Sequence, residues 1–238
     1  MARVRPFRIL AVVLAVLAVV AGVYLANAPF FRVAHVGVDV PLGSPVSAQE
    51  VRAAAAVAPG ANVWLLRPGA IARRVDAIPY VERTSVHRGQ FPAPFVELAV
   101  TVRRPAFCLR AGGGEMTLDA SARVLQAGCA SGALPRLTAG PASIPAPGAT
   151  VSDPAIVRLL ADAATLADAG LSMRSLGWDR WGGLEGVDAS GVVLLLGEDG
   201  DLAAKAALVG PVRAGIGHAR TVRAIDLRAP GTPVVDFR

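Results

Sequence analysis

Apolar residues recur in three patterns along this chain, and each pattern predicts a different kind of element. The first is an unbroken run over residues 9–25, with no charge in it and with Arg3, Arg5 and Arg8 before it. As a helix the run reaches about 25 Å, close to the roughly 30 Å hydrocarbon core of a bilayer. Tyr24 falls where interfacial aromatics sit. The expected element is a membrane helix over 9–28 after a cytoplasmic stub of residues 1–8, with everything beyond about residue 27 outside the cytoplasm. A cleaved secretory signal is the competing reading, since Ala26-Asn27-Ala28 has the small-x-small form. However, the run exceeds a usual signal core, and Pro29 would follow the cut. A buried helix of a soluble core would keep a polar face, and this run has none.

The second pattern is alternation. Residues 31–40 alternate and predict a strand, broken by Pro41-Leu-Gly-Ser-Pro45. Ser47-Ala-Gln-Glu50 is a capping box that opens a helix to about residue 58, ended by Pro59-Gly60. A second helix is expected from Pro68 to about residue 77, stopped by Pro79. Residues 80–88 and 95–103 then read as two strands; Val96, Leu98, Val100 and Val102 share one face, with Glu97, Thr101 and Arg103 on the other. The order β-α-α-β-β over 29–104 predicts helices on one face of a three-stranded sheet.

After Pro105 the strands shorten, at 107–110, 116–119 and 124–126, with another beginning at 134–137. Here the third pattern, a helical stripe, appears. Ser152-Asp153-Pro154 opens a helix whose Ile156, Leu159, Leu160, Ala163 and Leu166 form one apolar face, ending near Gly170. Strands follow at 173–179, 184–188 and 192–196, then the acidic turn Glu198-Asp199-Gly-Asp201. A helix through Lys205 and Leu208 is expected to be interrupted at Gly210-Pro211, and the closing strand is placed at 222–228. The fold class is α+β: one N-terminal transmembrane helix, a β-α-α-β-β domain, then a mixed α/β domain over 105–238 with a mainly antiparallel sheet.

Charge changes this picture only near the apolar run. The formal net charge of +6 divides into +3 for residues 1–29, +4 for 30–104 and −1 for 105–238. The basic excess therefore suits a membrane-proximal module, and no nucleic-acid motif accompanies it. The chain has two cysteines, Cys108 and Cys129. On the exported side they either close a disulfide or remain two buried thiols.

Candidate chemistry is sparse. His35, His87 and His218 are isolated, and no nucleophile elbow, Ser-x-x-Lys pair or phosphate loop is found, so no catalytic, cofactor-binding or metal residue is assigned. The Gly112-Gly-Gly114 turn lacks a following Lys-Ser/Thr. The acidic turn at 198–201 lacks the alternation of a calcium loop and suits a helix N-terminus. Trp178 and Trp181 are expected to pack in the core or a turn, not to stack on a sugar.

The first domain resembles the membrane-proximal POTRA domain of FtsQ/DivIB-type bacterial cell-division proteins. The residues that carry the resemblance are Phe31-x-Val33 and Val36-x-Val38, Ser47-x-x-Glu50-Val51, Asn62-Val63-Trp64-Leu65, Ile78-Pro79-Tyr80-Val81 with Val86, Phe91-Pro92 and Arg104-Pro105. Leu118-Asp119 with Val124-Leu125, Val192 to Gly197, Asp201-Leu202 with Lys205, and Ile225-Asp226-Leu227-Arg228 resemble the family's distal β domain. Ala122 stands where the family often has Gly.

The resemblance implies a non-catalytic, single-pass scaffold of the cytoplasmic (inner) membrane at the division septum. Its expected partners are FtsB/DivIC-like and FtsL-like single-pass proteins, other divisome components, and membrane lipid around the anchor. The partner site carried over is Val222, Arg223, Ala224, Ile225, Asp226, Leu227 and Arg228; the alternative is that these residues form an interior strand closed off by residues 233–237. An anchored envelope enzyme or ligand-binding protein on a POTRA-like platform is the alternative, and it would need a pocket with convergent polar groups.

Overall fold

The computed structural model describes residues 6–90, 92–129, 134–216 and 221–237, so Arg3, Arg5, Phe91 and His218 lie outside the described residues. The chain forms two compact units, Met1–Arg103 and Arg104–Arg238.

The first unit begins with α1 (Pro6–Asn27), formed by the apolar run. Its described side chains from Leu10 to Leu25 are all exposed. Among the described residues no helix is long and apolar enough to cross a membrane. After a single 3-10 turn at Pro29–Phe31 come β1 (His35–Asp39), α2 (Ala48–Ala55), α3 (Pro68–Val75), β2 (Val81–Gly89) and β3 (Phe95–Val102).

The sheet order is β1-β3-β2, with β1 parallel and β2 antiparallel to β3. The two helices supply the crossover that a parallel pair requires. Ser47 caps α2 as its sequence dictates, its Oγ accepting from Glu50 N–H at 3.1 Å. Arg74 donates to the carbonyl of Ala55 at the other end. Val51, Ala55, Ile71 and Val75 of the helices pack on Val96, Leu98 and Val100 of β3, all buried.

The first strand is shorter than its alternation predicts. Phe31 is drawn into the 3-10 turn behind Pro29, and the chain beside it pairs with residues 61–63 instead: Val33 N–H bonds Ala61 O at 2.8 Å and Val63 N–H bonds Phe31 O at 2.9 Å.

The second unit is built on a nine-stranded sheet of order β12-β11-β10-β9-β8-β7-β4-β5-β6. Its strands are β4 (Phe107–Ala111), β5 (Gly114–Leu118), β6 (Val124–Ala127), β7 (Arg136–Thr138), β8 (Met173–Trp178), β9 (Leu184–Asp188), β10 (Val193–Gly197), β11 (Val222–Asp226) and β12 (Val234–Phe237). Only β10/β11, β4/β7 and β7/β8 pair in parallel; the other neighbours are antiparallel.

Helix α4 (Pro154–Asp168) follows β7. Asp153 caps it, accepting from Ala155 and Ile156 N–H, and Pro154 occupies the first turn, where a missing N–H costs nothing. The stripe Ile156, Leu159, Leu160, Ala163 and Leu166 enters the core with Leu109, Leu118, Leu137, Leu176 and Leu194.

Helix α5 (Leu202–Ile216) corrects an expectation: it runs straight through Gly210-Pro211. An interior proline costs about 3 kcal/mol through a lost N–H and a ring clash. Burial of Leu202, Ala206 and Val209 on one side, with Val212 packed beyond the proline, offsets that cost.

Candidate functional site

Backbone edges are the features of the second unit best suited to a polypeptide partner, and the two ends of its sheet differ. At the β6 end the chain folds over its own edge: Val124 N–H bonds Ala149 O at 2.9 Å, Gly148 N–H bonds Val124 O at 2.8 Å, and Arg123 bridges Thr150. At the other end β12 has β11 on one side and, among the described residues, no strand on its outer side. Along β12, Val235 and Phe237 are half-buried while Val234 and Asp236 are exposed.

In this arrangement the strand expected to hold the partner, residues 222–228, is not the edge strand of the sheet. Residues 222–226 form β11, flanked by β10 in parallel and β12 in antiparallel register, so its backbone groups are spent inside the sheet. Ile225 pairs with both Leu194 and Val235 and is fully buried, as is Leu227, whose N–H bonds Leu195 O at 2.8 Å. Val222 faces Phe237 in the register, Ala224 lies between Val193 and Asp236, and exposed Arg223 reaches Asp236 at 3.5 Å. Arg228 Nε donates to both oxygens of Asp226 at 3.0 Å. That hydrogen bond outweighs partial burial and holds the Asp226 carboxyl below the usual range. Pro230, Gly231 and Pro233 read as punctuation before the four residues of β12, and the structure matches the second sequence reading, an interior strand closed off by residues 233–237.

A cleft of about 760 Å³ opens beside these strands, lined by Asp179, Trp181, Gly197, Glu198, Asp201, Lys205 and Arg228. Its polar groups are largely engaged by the protein itself. Asp179 Oδ1 accepts from Trp181 and Gly183 N–H, and Arg228 holds Asp226. Lys205, the sole lysine of the chain, is buried with Nζ donating to Leu196 O at 2.7 Å and Glu198 O at 2.6 Å. The ammonium ties α5 to the end of β10. Its charge hid this role, since a lysine reads as solvated surface.

The acidic turn is likewise engaged. Asp199 pairs with Arg158 of α4, and that hydrogen bond holds its carboxyl low. Asp162, one turn further along α4, is buried with an unpartnered Oδ2. Burial first, then the charge of Asp199, raises its pKa to about 6 against the opposing pull of Arg158. Trp178 packs half-buried against the core with Arg158 5.4 Å from its ring centre. Trp181 is 80% exposed beside Arg180 and lies in the turn after β8, its N–H bonded to Asp179 Oδ1, so of the two expected placements it takes the turn and not the core.

Cys108 and Cys129 are joined as a disulfide that clips β4 to the chain just after β6. Glu115 lies close to both, and this trio is the one group with metal-ligand proximity among the described residues. With both sulfurs bonded to each other, neither thiolate is free to ligate an ion. His35 and His87 are exposed on β1 and β2.

One sequence signal went unused. Leu118-Asp-Ala-Ser-Ala-Arg-Val-Leu125 and Val187-Asp-Ala-Ser-Gly-Val-Val-Leu194 are near copies, and they form equivalent hairpin turns. Asp119 Oδ1 accepts from Ser121 N–H, Ser121 Oγ and Arg123 N–H; Asp188 Oδ1 accepts from Ser190 N–H, Ser190 Oγ and Val192 N–H. The third residue after the Asp is left-handed in both, Ala122 at φ 64° and Gly191 at φ 87°. Burial raises the Asp188 pKa, but the Ser190 and Val192 hydrogen bonds together with Arg213 outweigh it and leave the carboxyl below the usual range.

No curated protein matches the chain. Residues 42–103 match the family model described as POTRA domain, FtsQ-type. The match covers α2, α3, β2 and β3 of the first unit, the helices and strands whose packing and register are given above. This part of the chain is therefore similar to an FtsQ-type POTRA domain.

Proposed function

We propose that the protein is a bitopic divisome scaffold that recruits and regulates other division proteins for septal peptidoglycan synthesis, without transforming a substrate itself. In this reading α1 is the anchor in the cytoplasmic membrane, with Arg3, Arg5 and Arg8 on the cytoplasmic side and both units outside, at the septum. The FtsQ-type POTRA match is the observation that carries the proposal. The partners are FtsB/DivIC-like and FtsL-like single-pass proteins together with other divisome components.

The docking strand is reassigned from β11 to the edge of β12. An incoming strand gains main-chain hydrogen bonds there and reads the alternate side chains Val234 and Asp236 or Val235 and Phe237. β11 contributes from behind as the strand on which β12 is held, and Ile225→Pro would break the buried core instead of testing the contact.

Photo-crosslinking in dividing cells tests this. A crosslinker at Val234 or Asp236 is expected to capture a single-pass division protein, while one at Gln126, on the strand at the opposite end of the sheet, captures none. Capture from Gln126 alone, or no division protein from either β12 position in a folded chain, would reject the site. Proline placed in turn at Val234, Val235 and Asp236 should abolish capture at the positions whose N–H faces outward and leave the thermal midpoint nearly unchanged there.

A further inference from the structure

Three exposed apolar side chains of the first unit sit where α1 hands the chain to the sheet. α1 ends at Asn27, and the following turn is tightly bonded, with Phe31 N–H to Ala28 O at 3.1 Å and Arg32 N–H to Pro29 O at 3.2 Å. Phe31 O then accepts from Val63 N–H, which places the next two residues of that loop, Trp64 and Leu65, beside the helix exit. Phe30 is 62%, Trp64 50% and Leu65 67% exposed.

The loop is held in this pose. Arg88 of β2 donates through Nη1 to Leu66 O at 2.8 Å and Trp64 O at 3.2 Å, and its guanidinium lies 5.5 Å from the centre of the Trp64 ring. Asn62 Oδ1 accepts from Trp64 N–H at 2.9 Å, and Trp64 Nε1 reaches Gln90 at 3.4 Å. A loop clamped by its backbone while Trp and Leu remain in solvent presents those side chains to something. Charge indicates what: residues 28–38 and 58–75 contain Arg32, Arg67, Arg73 and Arg74 and no acidic residue.

We infer that Phe30, Trp64 and Leu65, flanked by Arg32 and Arg67, form a contact surface for the headgroup region of an anionic phospholipid bilayer. Aromatic side chains with a polar edge partition to that depth, and arginine pairs with lipid phosphate. The bilayer is the occupant because the patch follows closely on a helix that carries no charged residue from Leu10 to Leu25, where all its side chains are exposed. The inference rests on the reading of α1 as the anchor. It adds that the POTRA domain lies against the membrane through this corner instead of swinging freely from the helix.

The test uses the full chain labelled with 5-fluorotryptophan and reconstituted into phosphatidylethanolamine/phosphatidylglycerol vesicles, with Trp64→Phe assigning the Trp64 signal. Lipid carrying a nitroxide near the headgroup is expected to broaden the Trp64 fluorine signal. Leu65→Glu with Arg67→Glu is expected to abolish that broadening while the protein still floats with the vesicles and keeps its melting temperature. A Trp64 signal left sharp in vesicle-bound protein overturns the patch and leaves the anchor standing; failure to float overturns both. Broadening equal in purely zwitterionic vesicles overturns the electrostatic part, and protection of Trp64 only when a second protein is added overturns the lipid in favour of a protein partner.

Discussion

The two ends of the nine-stranded sheet are reached through near-identical hairpin turns, yet one end is closed and the other open. The β5–β6 turn, Leu118 to Leu125, leads to an edge that residues 148–151 cover, and a disulfide clips the neighbouring strands. The β9–β10 turn, Val187 to Val193, leads toward β11 and β12, and β12 has no strand beyond it among the described residues. Equal local sequence thus produces equal local geometry without fixing what that geometry is used for. A covered edge cannot accept a partner strand, whereas an open one must be kept from random pairing. Short length and exposed Asp236 on β12 serve that end.

The largest expected effect falls on the open half. Asp188→Ala removes the acceptor for Ser190 and Val192 N–H and leaves Arg213 without its carboxylate, so urea unfolding should show a loss of about 3–4 kcal/mol. Because its folded-state pKa lies below the unfolded one, this contribution is present above the unfolded pKa and is lost as pH falls through the folded one; the wild type and variant should converge in acid.

On the closed half, Cys108→Ser with Cys129→Ser opens a loop of 21 residues' separation and should cost about 3 kcal/mol in the chain-entropy picture. Hydrogen exchange is expected to rise in β4–β6 and to change little in β10–β12. Uniform acceleration across the sheet would mean that the two ends are not separately stabilised.

A smaller effect depends on pH. The folded protein holds the Asp162 proton up to about pH 6, above the value of the unfolded chain, so stability falls as pH rises through that window. Asp162→Asn should therefore stabilise the protein by roughly 1–2 kcal/mol at pH 8 and by little at pH 4, measured by thermal unfolding at both values.

The smallest effect compares the turns directly. Ala122 pays a left-handed penalty that Gly191 avoids, so Ala122→Gly should gain about 0.5–1 kcal/mol. Gly191→Ala should lose about 1 kcal/mol through backbone strain alone, since an added Cβ there meets nothing within 4 Å. The swapped double variant would then sit close to the wild type.

Local order along the chain was set by features that act over a few residues. Alternation placed β3, a hydroxyl followed three residues later by Glu started α2, and an Asp-Pro pair with an apolar stripe made α4. The paired turns were equally readable, because an Asp carboxylate can serve its own next backbone donors wherever it occurs. What the sequence could not decide was which strand lies beside which. β11 became an interior strand because the chain returns past Pro233 to pair with it. α5 survived Pro211 because distant core residues hold both of its halves, and Asp162 is buried although the helical stripe leaves it out. Those outcomes depend on contacts between residues far apart in the chain, whose closure the local pattern does not encode; only tertiary packing set the open edge at β12 and the clamped Trp64-Leu65 corner.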